Sequence, residues 1–140
     1  MQKTRIDVVP FISINGVNFG TPREDVHKAF GTPEDSFVKF GGDTEIDVYS
    51  CFHAFYDDNY KFDGIEVIYP DEADIYYGGE KVPETYDGAL EFFSRLYDDT
   101  QEDGVGFMTV KGSMGVYVDE ADEYDMILFA RKGYYDELDV

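Results

Sequence analysis

Residues 84–98 place the hardest constraint on the fold. Tyr86, Ala89, Leu90, Phe93, Leu96 and Tyr97 recur at i, i+3, i+4, i+7, i+10 and i+11, the spacing that gathers apolar side chains on one side of an α-helix. A helix with so broad an apolar face must pack against something. Its opposite side carries Asp87, Glu91, Ser94 and Arg95. Gly88 weakens the first turns, and Asp98-Asp99 oppose the helix dipole, so the far end is expected to fray.

A second, shorter helix is predicted over residues 22–30. Thr21-Pro22-Arg23-Glu24 reads as a capping box, with Thr21 accepting from the Glu24 amide and Pro22 preset for the first helical position. Val26, Ala29 and Phe30 supply an apolar stripe, and Gly31 followed by Pro33 supplies a positive-φ cap and a stop.

The rest of the chain reads as short strands cut by turn residues. Residues 8–14 are β-rich, and Asn15-Gly16 ahead of Val17-Asn18-Phe19 is a tight-hairpin signal, since both turn residues tolerate positive φ. Further β-type segments cover residues 37–40, 45–49, 52–56, 65–69, 74–77, 80–82, 106–110, 114–118 and 126–130. Connections this short join antiparallel neighbours. The expected fold is α+β: a largely antiparallel sheet with two helices packed on one face, in a single domain over residues 1–140.

Charge narrows the function classes. The formal net charge is −20, and it is unevenly spread: residues 1–56 hold 8 acids against 5 bases, a balance of −3, whereas residues 57–140 hold 23 acids against 6 bases, a balance of −17. Such a field repels nucleic-acid phosphates and anionic membranes and attracts cationic proteins. Aromatic residues reach 17% of the chain, too many for a disordered acidic segment. No apolar run approaches a membrane span, the N-terminal residues do not read as a signal peptide, and Cys51 is the only cysteine, so a cytoplasmic address is expected.

No motif assembles a catalytic or cofactor site. Cys51 and His53 are two apart on one strand, but a zinc site needs further ligands that no second Cys/His cluster supplies. Asp57-Asp58-Asn59…Asp63-Gly64 clusters hard oxygen ligands without calcium-loop spacing and reads as a solvated hairpin connection. Gly104-Val105-Gly106 lacks the strand–turn–helix setting of a phosphate loop. The chain is expected to be no enzyme and to use no cofactor or metal. What remains is tyrosine interleaved with carboxylates in the acidic part. Aromatic anchors inside a negative rim suit a basic protein partner, and the candidate contact residues are Tyr56, Asp57, Asp58, Tyr60, Tyr76, Tyr77, Asp119, Glu120, Asp122 and Glu123.

The run Phe19-Gly20-Thr21-Pro22-Arg23-Glu24-Asp25-Val26, closing in Ala29-Phe30-Gly31-Thr32-Pro33, resembles the opening helix of β-lactamase-inhibitor-like and outer-membrane-assembly-lipoprotein-like domains. It is also similar to the start of several small immunity proteins of bacterial toxin systems. The resemblance implies an intracellular inhibitor that neutralises a basic toxin or enzyme, since the sequence offers no lipobox cysteine, and it carries over no functional residue. The alternative is a small-ligand or regulatory domain whose acidity is incidental.

Overall fold

The structure is a computed structural model and describes residues 3–38, 41–118 and 124–135. It contains two sheets. The smaller has the order β3-β2-β1-β8-β9, built from β1 (Thr4–Val9), β2 (Ser13–Ile14), β3 (Val17–Asn18), β8 (Ala73–Tyr77) and β9 (Glu80–Lys81). The larger has the order β10-β11-β12-β13-β7-β6-β5-β4. Its strands are β4 (Asp35–Val38), β5 (Glu45–Val48), β6 (Phe52–Tyr56), β7 (Phe62–Val67), β10 (Gln101–Glu102), β11 (Gly106–Thr109), β12 (Met114–Tyr117) and β13 (Met126–Ala130). The helices are α1 (Arg23–Phe30) and α2 (Tyr86–Leu96).

The antiparallel α+β reading holds with one correction. A single sheet becomes two, and the smaller one contains a parallel pair, β1 beside β8, with Thr4 opposite Ala73 through Val8 opposite Tyr77. Ile6 and Val8 on β1 and Ile75 and Tyr77 on β8 are all buried, so the pair is held by a shared apolar face. Partners so distant in sequence leave no local turn signal.

One row of directly opposed residues crosses the larger sheet: Phe107, Val116, Ile127, Val67 and Phe52. All five are buried in one continuous cluster that also takes in Ile6, Val26, Ala89 and Phe93. Phe93 of α2 packs against Tyr77, Phe107 and Phe129 at ring separations of 5.1, 6.2 and 6.3 Å. Phe30 of α1 meets Phe52 and Phe62 edge-on at 5.5 and 5.8 Å. The reverse side of the larger sheet buries Ile46, Phe55, Leu128 and Ala130 beneath Tyr134 and Tyr135.

Details at the helix ends correct the sequence reading. Thr21 caps nothing: its hydroxyl donates to the Asn18 carbonyl, and its own carbonyl accepts from Phe62 N. Residues 20–23 are stitched to the β6–β7 hairpin by the Gly20 to Phe62 and Arg23 to Tyr60 bonds, and that pairing overrides the capping box. Ala29 is exposed, leaving Val26 as the one buried residue of α1. In α2 the buried residues are Ala89, Phe92 and Phe93, whereas Leu96 is 52% exposed. Gly88 is required rather than merely tolerated: a Cβ there would lie 2.7 Å from both Pro83 and Thr85 Oγ1, the oxygen that accepts from Gly88 N. Asp99 is not a source of fraying, because its carboxylate accepts from the Thr109 hydroxyl and Lys111 N.

Candidate functional site

Asp47 gathers a dense set of polar contacts. Alternation along β5 turns Asp47 inward, opposite Ala54, and its side chain is fully buried. The N-terminal turn of α1 supplies Arg23, and His27, four residues on, lies on the same side of that helix. Arg23 Nη2 donates to Asp47 Oδ1 at 2.6 Å, and its Nη1 reaches Glu45 Oε2 at 2.9 Å. Ser36, directly across the ladder, donates to Oδ1 at 2.9 Å. Tyr56 Oη donates to Oδ2 at 2.6 Å, and His27 Nε2 lies 2.6 Å from the same oxygen.

Burial, the largest single influence on Asp47, works to raise its pKa. The bonds from Arg23, then Tyr56, His27 and Ser36, together outweigh it and bring the carboxyl down to about 2. Burial and then Asp47 push the Tyr56 hydroxyl up. At neutral pH Asp47 is therefore a fixed anion and Tyr56 a fixed donor. Ser36 bonds the carboxylate and not the imidazole, so the Ser36–His27–Asp47 set lacks the nucleophile-to-base contact of acyl-transfer sites. The cluster ties α1 to β4, β5 and β6. Its outer rim is a shallow cleft lined by Pro22, Arg23, Glu24, His27, Asn59 and Tyr60.

A second arrangement lies where α2 begins. Thr85 caps the helix, and Tyr86 then projects over β10 and β11, its ring set edge-on to Phe107 with centres 5.7 Å apart and its hydroxyl donating to Glu102 Oε1 at 3.1 Å. Burial first, then Glu102, Asp103 and Asp87, push this hydroxyl up to about 12. One carboxylate, Glu102, thus contacts this half-buried tyrosine, and those of Asp103 and Asp87 act on it through their charge. The turn of the same β10–β11 hairpin holds Val105 out in solvent, 54% exposed. An aromatic ring, an aliphatic tip and a carboxylate rim can together grip an ammonium or guanidinium on an apolar stem.

The predicted contact residues that lie among the described residues have different surroundings. Tyr56 and Tyr77 are each 5% exposed and belong to the core, so they cannot anchor a partner at the surface; Tyr77 packs on Phe93 and Phe129 instead. Tyr60 is half-buried, with the Arg23 guanidinium 5.3 Å from its ring centre and its hydroxyl accepting from Glu45 N. Asp57 accepts from the amides of Asn59 and Lys61 and so shapes the hairpin, while Asp58 faces solvent. Tyr76, on the smaller sheet, lies under the Arg5 guanidinium at 3.9 Å. Asp119, Glu120, Asp122 and Glu123 lie outside the described residues.

Cys51 is buried in the core, which pushes its thiol up, and His53 packs edge-on against Phe37. Among the described residues no group of three or more His, Cys, Asp or Glu is arranged to hold a metal ion. No described helix is long and apolar enough to cross a membrane. The Asp47 cluster was not foreseen; its signals are the Arg23/His27 spacing on α1 and the Glu45/Asp47 alternation on β5. No family model, curated protein or solved structure matches the chain.

Proposed function

We propose that the chain is a non-catalytic binding domain that takes a basic protein partner in the cytoplasm, in the manner of an immunity-type inhibitor. One observation carries the reading: Tyr86, half-buried at the start of α2, donates to Glu102 Oε1 at 3.1 Å, with Asp87 next to it in the chain and Asp103 next to Glu102. The Asp47 cluster is compatible with it, since Arg23, Ser36 and Tyr56 all direct donors at the Asp47 carboxylate and Ser36 does not bond His27. Negative charge at the surface disfavours nucleic acid.

The framework behind the patch is both helices on one face of the larger sheet. Phe30 touches Phe52, Phe93 touches Phe107, and these two sheet residues end a single row of opposed side chains. The test is a competition between the wild-type chain and the Asp87→Asn/Glu102→Gln/Asp103→Asn variant for proteins captured from a bacterial lysate at low salt. The reading expects the variant to lose the basic proteins selectively. Retention of the same basic proteins by the variant would overturn it.

A further inference from the structure

A third depression sits at the opposite end of α2 from Tyr86 and has the opposite character. Phe11, Tyr97, Val110, Lys111, Lys132 and Gly133 line a half-open depression of about 380 Å³, within the range of small-molecule sites. Four separate turns meet there: the β1–β2 turn, the segment after α2, the β11–β12 turn and the segment after β13. We propose that this depression binds a small aromatic monocarboxylate, its ring laid against the wall that Phe11 and Tyr97 form together and its carboxylate on Lys132.

The apolar wall is fixed. Tyr97 Oη is bonded to Tyr77 Oη at 2.5 Å, and its ring lies so close to Gly112 that a Cβ there would sit 2.6 Å away. Phe11 faces Tyr97 edge-on, with ring centres 6.2 Å apart. Its backbone has φ 68° in a turn that follows Pro10 and is closed by the Ile12 N to Val9 O bond. That third turn position ordinarily takes Gly or Asn. A phenyl side chain held in the left-handed region is strained, and strain of this kind collects where a side chain is needed for recognition.

The charged wall is selective. Lys111 Nζ is already 2.6 Å from Asp98 Oδ1, and Asp99 is engaged by Thr109 and Lys111 N. Lys132 is exposed and makes no side-chain ion pair among the described residues. At physiological ionic strength the screening length is about 8 Å, so these neighbours govern the mouth of the depression more than the overall charge does. One open ammonium beside two aromatic rings and a valine selects a ligand with a single negative end and a flat apolar body.

The experiment is an NMR titration of the full chain with phenylacetate, phenylacetamide and inorganic phosphate. Phenylacetate is expected to bind saturably and to shift the Phe11, Val110 and Gly133 amides. Lys132→Met should weaken it roughly tenfold and leave phenylacetamide unchanged. Phe11→Gly removes the ring while relaxing the backbone, so it should fold and weaken both aromatic ligands. The proposal is overturned if phenylacetate shows no saturable binding at millimolar concentration or if the amide binds as tightly as the acid. It is equally overturned if Lys132→Met changes nothing, or if phosphate alone produces the same shifts with the same affinity.

Discussion

Replacing Arg23 by Met removes the guanidinium from Asp47 while keeping an apolar stem of similar length. The wild-type carboxyl sits at about 2 against an ordinary 3.8, and a displacement of that size corresponds to about 2 kcal/mol of folding stability. The sign follows from the depressed pKa: this stability is present above the unfolded-state value and is lost as pH falls through about 4 toward 2. In Arg23→Met the bonds from Tyr56, His27 and Ser36 remain, but burial then dominates and the Asp47 pKa rises. Breaking a buried pair from one side costs about 3 to 5 kcal/mol, and the half-open position of Arg23 puts the expected loss at pH 7 at about 3 kcal/mol. The lost Glu45 contact adds little, since that carboxylate is about half exposed. Urea titrations of both proteins at pH 7 and pH 4.5 read the effect. The stability gap should narrow at the lower pH, because a protonated Asp47 no longer needs the guanidinium. A gap below about 1 kcal/mol at pH 7, or one that does not narrow, refutes the role assigned to this pair.

Three further outcomes follow from packing and capping. Phe93→Ala empties a fully buried site among Tyr77, Phe107 and Phe129 and should cost about 3–5 kcal/mol in a urea titration. Thr85→Ala deletes the side chain that accepts from Gly88 N and should cost about 1 kcal/mol, seen as a small drop in thermal midpoint. Cys51 should resist iodoacetamide in the native state and react promptly in denaturant, because burial both shields the thiol and pushes its pKa up.

Elements were legible where the signal was local. The strands at residues 52–56 and 126–130 are found at their expected bounds, and Asn15-Gly16 forms its hairpin turn with φ 47° and 81°. What escaped the sequence was long-range. The parallel β1–β8 pair joins residues nearly seventy positions apart, and the Arg23–Asp47 cluster spans a helix and three strands, so neither has a neighbour pattern to betray it. Tyrosines were the least readable residues. Tyr56, Tyr60, Tyr77 and Tyr86 have similar acidic neighbours in sequence, yet the fold buries two and leaves two half-open. Alternation along β6 puts Ala54 and Tyr56 on the main-core side and Phe55 on the other, but which side is the deeper one depends on the elements packed there, which composition does not reveal.

The central claim is that the carboxylates around Tyr86 draw in a basic partner. The direct measurement is the association rate between the chain and its captured basic partner, followed from about 10-fold below physiological ionic strength up to it, for the wild type and for Asp87→Asn/Glu102→Gln/Asp103→Asn. Electrostatic steering predicts a wild-type on-rate that falls steeply with salt, an off-rate that changes less, and a flatter on-rate dependence in the variant. An on-rate indifferent to salt, or equally steep in both proteins, would contradict the account.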